Sequence, residues 1–270
     1  MEYRSLGRTG VMVSSLCLGC MNFGGKTPEA DSMDIIDKAI DEGINFLDTA
    51  NVYSRGVSET IVGKALQRNQ KRENIVLATK VHGRMDDDDI LMAGNNRRHI
   101  IQQCEASLKR LQTDYIDLYQ IHRPAHNVPI DETLRALDDL IRDGKVRYIG
   151  SSTFPSWRVM ESLWASNKLN LNRFVTEQPP YHLLDRSIER ELIPMAQTYG
   201  IGILPWSPLA RGFLTGKYKR GEEIPGDTRL ASDMQGPFKK RTQQHFSELA
   251  YDVIDVISAM AEEKGCTPSQ

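Results

Sequence analysis

Strict alternation of short β-rich runs with amphipathic helical periods is the feature that most restricts what this chain can fold into. Seven such units follow one another. Core strands are expected at Leu16–Gly19, Phe46–Asp48, Ile75–Lys80, Tyr115–His122, Val146–Gly150, Arg173–Gln178 and Ile203–Ser207. Helices are expected over about Ala30–Glu42, Ser58–Leu66, Arg97–Leu111, Asp131–Arg142, Trp157–Ala165 and Ser187–Tyr199, and from near Phe246 to Lys264. Apolar residues recur in them at helical spacing, as in Ile35, Ile36, Ala39 and Ile40, or in Leu249, Val253, Val256, Ile257 and Met260. Ser58 reads as a cap, and Gly43, Gly144 and Gly200 as stops. Strands joined by helical crossovers form a parallel sheet, either open and doubly wound or closed as a barrel.

The polar residues decide between these. Asp48, Lys80, His122, Ser151, Gln178 and Ser207 each fall at the C-terminal end of a different strand. In a β/α barrel that rim is where an active site is built. A doubly wound sheet concentrates its site at one switch point and carries a Gly-rich fingerprint after its first strand, which Leu18-Gly-Cys-Met-Asn-Phe-Gly-Gly25 does not match. The expected fold is therefore an α/β (β/α)8 TIM barrel forming a single domain over residues 1–270. A β-hairpin, Tyr3–Leu6 and Val11–Val13 around Gly7-Arg-Thr-Gly10, would plug its bottom. Only seven strands precede Gln270, so the eighth β/α unit is expected to be missing and the barrel C-terminally incomplete.

Composition narrows the partners. At 270 residues and 40% hydrophobic, the chain can bury a sizeable core. A net charge of -2 gives no drive toward nucleic acid or an anionic membrane. No apolar run reaches membrane-spanning length and no signal pattern opens the chain. Cys17, Cys20, Cys104 and Cys266 fit a reducing compartment, so a cytoplasmic protein with a small-molecule partner is expected. The Cys17-x-x-Cys20 pair lacks companions for a metal, and no metal site is expected. Asp86–Asp89 reads as a solvated loop, and Gly212–Lys217 lacks the spacing of a nucleotide-binding P-loop.

Three strand ends and one loop residue form a chemical set. A neutral phenol is a weak proton donor near pH 7, and a neighbouring ammonium improves it by stabilising the phenolate. A carboxylate keeps that ammonium charged. Tyr53, Lys80 and Asp48 can form this relay, with His122 orienting a carbonyl oxygen. The set has no hydride source, which implies a bound dinucleotide.

The motifs Leu47-Asp-Thr-Ala-Asn-Val-Tyr53, Glu59, Ala78-Thr-Lys80, Asp117-Leu-Tyr-Gln-Ile-His-Arg123, Gly144-Lys-Val-Arg-Tyr-Ile-Gly-Ser151, Gln178 with Tyr181, and Trp206-Ser-Pro-Leu-Ala-Arg-Gly212 run through the whole chain. Together they resemble the aldo-keto reductase superfamily, in its aryl-alcohol dehydrogenase-like and potassium-channel beta-subunit-like branches. The resemblance implies NAD(P)H-dependent reduction of aldehydes or ketones. It implies Asp48, Tyr53, Lys80 and His122 as a catalytic tetrad, with Tyr53 as proton donor. It further implies a cofactor, NADPH with NADH also open, held by Ser151, Ser152 and Gln178 at its amide, by Tyr181 against its ring, and by Trp206, Ser207, Pro208, Leu209, Arg211, Gly212 and Lys217. Ser152 and Ala125 stand where the family commonly has Asn and an acidic residue. The substrate wall would come from loops such as Phe23–Lys26, Val81–Asn96 and the segment at His126. A cofactor-binding sensor or channel-type regulatory subunit with little turnover is the alternative, since it would retain the tetrad. A Schiff-base lyase on Lys80 and a metal hydrolase using His82, His122, His126 and Asp48 are further readings; the last would want a His-x-His that the chain lacks.

Overall fold

The computed structural model describes residues 1–226, 228, 230, 231, 234 and 247–270. They fall into two compact units, Met1–Gln178 with Leu192–Leu204, and Pro179–Glu191 with Pro205–Gln270. In the first unit β1 (Tyr3–Ser5) and β2 (Met12–Ser14) pair antiparallel. Gly7 turns between them at φ 57, where a side chain would lie 2.3 Å from the Val175 carbonyl oxygen, so glycine is required twice over. Leu6 and Val13 then bury against Phe46, Val76, Ala78, Leu118 and Val175, and the hairpin seals the N-terminal ends of the strands.

The remaining strands are β3 (Leu18–Gly19), β4 (Phe46–Asp48), β5 (Val76–Val81), β6 (Ile116–Ile121), β7 (Val146–Ser152), β8 (Phe174–Gln178) and β9 (Gly202–Ile203). They form one parallel sheet in chain order, the order of a (β/α)8 barrel. Among the described residues no eighth parallel strand occurs, and β3 and β9 are the outer strands. Helices α1 (Glu29–Asp41), α2 (Val57–Asn69), α3 (Arg97–Leu111), α4 (Ile130–Arg142), α5 (Ser156–Leu169) and α6 (Leu192–Tyr199) alternate with them. Each β-to-β connection thereby crosses the sheet with its apolar side inward, as Leu134, Leu137 and Leu140 of α4 do.

Three local expectations are corrected. Ser58 does not cap α2: it lies in the first turn, donating to the Cys20 carbonyl (2.8 Å) and sharing a bond with Thr49 Oγ1 (2.9 Å). The single helix expected over Ser187–Tyr199 is a 3₁₀ turn, Ser187–Glu189, and then α6. Pro194 suits the first turn of α6, where a missing N–H costs nothing. The strand expected to end at Ser207 stops at Ile203: Leu204 still donates to the Glu177 carbonyl at 3.0 Å, but the next residue of the facing chain is Pro179 after Gln178, with no N–H to return the bond.

The last helix, α7 (Glu248–Glu263), belongs to the second unit and is capped by Ser247, whose hydroxyl accepts from the Ala250 amide at 3.2 Å. Its buried face is Ala250, Tyr251, Ile254 and Ala261 rather than the expected stripe, for Leu249, Val256 and Met260 are 72%, 61% and 51% exposed. Val253 and Ile257 flank a core built with Ala210, Phe213, Leu214, Tyr218 and Leu230. The expected helix start at Phe246 lies outside the described residues. No helix among the described residues is long and apolar enough to cross a membrane.

Candidate active site

Register carries Asp48, Lys80 and His122 to one end of the sheet. Asp48 closes β4 beside Ala78, Lys80 pairs with Gln120 of β6, and the His122 amide donates to the Val81 carbonyl at 2.9 Å. Past β4 the chain stays on its neighbour, since Thr49 and Asn51 donate to the carbonyls of Ala78 (2.9 Å) and Lys80 (3.1 Å). A 3₁₀ turn, Tyr53–Gly56, follows, with Ser54 (φ 47), Arg55 (φ 51) and Gly56 (φ 93) all left-handed. That costly turn brings the phenol of Tyr53 back to Lys80.

Lys80 is fully buried and its ammonium is the hub. It donates to Asp48 Oδ2, to the Thr49 carbonyl at 2.8 Å and to Tyr53 Oη at 3.3 Å. Burial alone would lower its pKa, but Asp48 and then Tyr53 outweigh burial and hold it above the ordinary lysine value. The His122 ring stands edge-on to Tyr53, centroids 5.5 Å apart at 84°. Burial, then Lys80 and Arg123, depress His122 to about 2. It is a neutral imidazole with one N–H to offer.

Two residues that sequence reasoning gave no role complete the cluster. Gln120 Nε2 donates to Asp48 Oδ1 at 2.9 Å, beside Gln178 Nε2 at 3.1 Å. The Asp48 carboxylate is thus held on both oxygens. Gln120 lies two residues before His122, on the same face of β6, and a polar side chain inside an apolar strand was the available signal. Glu59, fully buried in α2, accepts from Thr79 Oγ1 (2.5 Å) and Arg110 Nε (2.6 Å), bracing the residue next to Lys80.

At the end of β7 the structure reassigns one expectation. Ser151 Oγ donates to Glu177 Oε2 at 2.5 Å and so turns to the side of the sheet away from Asp48. Ser152 takes the inner side with Gly150, whose missing Cβ would face Gln120 and Thr176. Ser152 pairs with Gln178 in register and donates to its carbonyl at 2.9 Å. A hydroxyl and a primary amide therefore sit side by side at adjacent strand ends. They offer the donors and acceptor that a carboxamide needs.

Burial pushes the Glu177 carboxyl up to about 8, although Ser151 and the Phe154 amide both donate to it. The native state therefore holds a proton that the unfolded chain releases above the ordinary glutamate value of about 4.3. Stability should fall as pH rises through that window toward 8, and Glu177→Gln should flatten the fall. Melting temperatures of both proteins across about pH 5 to 8 check this. Parallel curves would mean that Glu177 is ionised throughout.

The other cofactor candidates lie in the second unit. Tyr181 Oη donates to Glu189 Oε1 at 2.6 Å. Arg186 and that phenol draw Glu189 down to about 2. The Trp206 amide donates to the Pro179 carbonyl at 2.9 Å, and Ser207 then turns left-handed at φ 55. After Pro208 and Leu209, Ala210 (φ 48), Arg211 (φ 60) and Gly212 (φ 94) continue in that conformation. Gly212 and Leu214 both donate to the Leu209 carbonyl, and Arg211 is buried. Lys217 folds over Gly212, its Cε 3.3 Å from where a Cβ would stand. The Ala210 amide donates to the Ser207 carbonyl at 2.8 Å, so with these amides spent inside the turn its charged side chains, Arg211 and Lys217, are what the segment offers an anion.

A model of the Aldo/keto reductase family matches residues 15–270. The chain belongs to that family. With it come the parallel α/β barrel order described above and a place among the oxidoreductases. Uncharacterized oxidoreductase YrpG of Bacillus subtilis (strain 168) is 43% identical over 262 residues, covering 94% of this chain and 79% of the relative. Aldo-keto reductase YhdN of the same organism is 41% identical, covering 84% of this chain and 68% of the relative. A probable voltage-gated potassium channel subunit beta of Arabidopsis thaliana is 36% identical, covering all of this chain and 81% of the relative.

Proposed function

We propose that the chain reduces aldehydes or ketones to alcohols with a nicotinamide cofactor, NADPH in the first place, and that Tyr53 delivers the proton. The observation that carries the reading is Tyr53 Oη 3.3 Å from an ammonium that is itself clamped by Asp48. As the carbonyl oxygen gains charge, the phenol hands it a proton and the Lys80 ammonium stabilises the phenolate left behind. Neutral His122 donates its N–H to the same oxygen and fixes its direction. The cofactor, when bound, supplies the hydride, which no side chain of this site can give. Ser152 and Gln178 would hold its amide, and Tyr181, Trp206–Gly212 and Lys217 are the candidates for the rest. All four cysteines are free thiols, which suits a cytoplasmic setting.

Gln178 is shared between Asp48 and that amide in this reading, so Gln120 must keep Asp48 in place when Gln178 turns to the cofactor. Gln120→Leu removes one bond to a charged group. A fall in kcat of roughly tenfold with little change in cofactor affinity is expected, near 1.5 kcal/mol. An unchanged kcat would remove Gln120 from the relay.

A second reading draws on the beta-subunit name that the Arabidopsis thaliana relative carries. There the chain would hold the cofactor as a regulatory subunit with little turnover. Titration of the purified protein with NADPH and with NADH, followed by its tryptophan fluorescence beside turnover of an aromatic aldehyde, separates the two. Binding with turnover supports the reductase. Binding without turnover across a panel of aldehydes and ketones favours the regulatory subunit, and no binding of either nucleotide sinks both.

A further inference from the structure

Three arginines surround a hollow at the opposite end of the first unit from the rim. Arg8 in the hairpin turn, Arg147 at the start of β7 and Arg173 just before β8 line a cavity of about 240 Å³, with Tyr148, Ile149 and Val175 as apolar surface. Nothing in the proposed reduction uses them. The chain as a whole is net negative, so three cations at one cavity are a local excess.

Their surroundings do not neutralise them. Asp138, beside the cavity residue Asn172, is committed to the Asn172 amide and side chain, each at 2.8 Å, and to Arg142 at 2.8 Å. Asp117 pairs with Arg72, and Glu105 and Asp143 with Lys145. Among the described residues no carboxylate pairs with Arg8, Arg147 or Arg173. Two of the three are also held in place. Arg173 Nη2 donates to the Tyr199 carbonyl at 2.7 Å. Arg147 Nη1 donates to the Gly144 carbonyl at 3.3 Å while its guanidinium lies 4.6 Å from the Tyr115 ring centre. The stem of Arg8 packs over Gly200, where a Cβ would meet it at 3.0 Å. Partial burial and then Arg8 disfavour the charged form of Arg173, a like-charge strain that an anion would relieve.

We infer that this cavity is a binding site for a small phosphate-bearing anion, free or as a phosphomonoester. Guanidinium forks match phosphate oxygens in pairs. At 240 Å³ the cavity is below the roughly 300–1,000 Å³ of drug-sized ligand pockets, yet holds about eight water volumes at ~30 Å³ each. That is space for one phosphate group with a short apolar or hydroxylated tail. The anion would tie the hairpin turn to the starts of β7 and β8. The inference is independent of the reductase reading.

The test is thermal unfolding and titration calorimetry of the full chain with inorganic phosphate and with glycerol phosphate, at ionic strength fixed with sodium chloride. Wild type should gain a saturable rise in melting temperature. Arg147→Gln should weaken binding at least tenfold. Arg220→Gln, at a surface arginine of the other unit paired with Asp252 and Asp255, should leave it unchanged. If Arg173→Gln fails to fold for loss of its Tyr199 bond, Arg147→Gln alone decides. Tighter binding of glycerol phosphate identifies a phosphomonoester ligand, and equal binding identifies phosphate alone as the recognised group. A rise shared equally by all variants is a general salt effect and overturns the site, as does loss of binding in Arg220→Gln but not in Arg147→Gln.

Discussion

Tyr53→Phe should lose carbonyl reduction by about 10²- to 10⁴-fold in kcat, the usual worth of a positioned general acid, while cofactor binding stays within about threefold. The substitution is narrow. The ring that stands edge-on to His122, 4.9 Å from the Lys80 ammonium, is retained, and only the hydroxyl 3.3 Å from that ammonium is removed. His122 cannot take over as acid, because burial and two neighbouring cations hold it neutral with a pKa of about 2. Steady-state turnover of an aromatic aldehyde, with fluorescence titration of the cofactor on the same preparation, reads the two effects separately. A variant within about threefold of wild type in kcat would mean that the proton comes from elsewhere, water or another side chain.

How much of this could be read beforehand follows from what each position depends on. Asp48, Lys80 and His122 were legible because a parallel strand delivers its last residue to the rim whatever its neighbours do. Their side chains then needed only the right parity. Tyr53 was legible in identity but not in mechanism: its reach rests on left-handed Ser54 and Arg55, residues with no intrinsic reason to adopt that conformation. Parity also explains the Ser151 and Ser152 exchange. β7 runs two residues beyond its expected end, to Ser152, and a register irregularity at Ile149 and Gly150 sits inside it. Which of two adjacent serines faces inward depends on that detail. Gln120 was hidden in an apolar run that reads as plain core. The outer face of α7 misled because both of its sides carry apolar residues, and the core in which Phe213 stacks on Tyr218 and meets Tyr251 at a tilt selects the buried one. The early end of β9 was written in Pro179, on the chain facing it, which a count of β-branched residues within β9 ignores.

Lys80→Met is the change with the largest expected effect on stability as well as on activity. It deletes the only ammonium paired with Asp48 among the described residues, at a carboxylate that is almost fully buried. Gln120 and Gln178 would remain as donors to Oδ1, at 2.9 and 3.1 Å, and Oδ2 would lose its charged partner. Breaking a buried pair from one side costs on the order of 3–5 kcal/mol, because the surviving charge is left without compensation. Wild type itself shows no pH dependence from this lysine near neutrality. Its native pKa is raised, so its contribution is present below the unfolded lysine value of about 10.4 and is lost only as pH climbs through the native one. The variant should behave differently, since a lone buried Asp48 binds a proton more readily than in the unfolded chain. Its stability should therefore rise as pH falls through the carboxylate range, and the gap to wild type should narrow. Urea unfolding of both proteins at neutral and mildly acidic pH measures the gap. Adding Asp48→Asn to the variant should recover part of the loss, with a coupling energy of roughly 1–3 kcal/mol in the double-mutant cycle. If Lys80→Met alone costs less than about 1 kcal/mol at neutral pH, Asp48 is not held as an ion by Lys80, and the account in which an Asp48-clamped ammonium stabilises the Tyr53 phenolate fails with it.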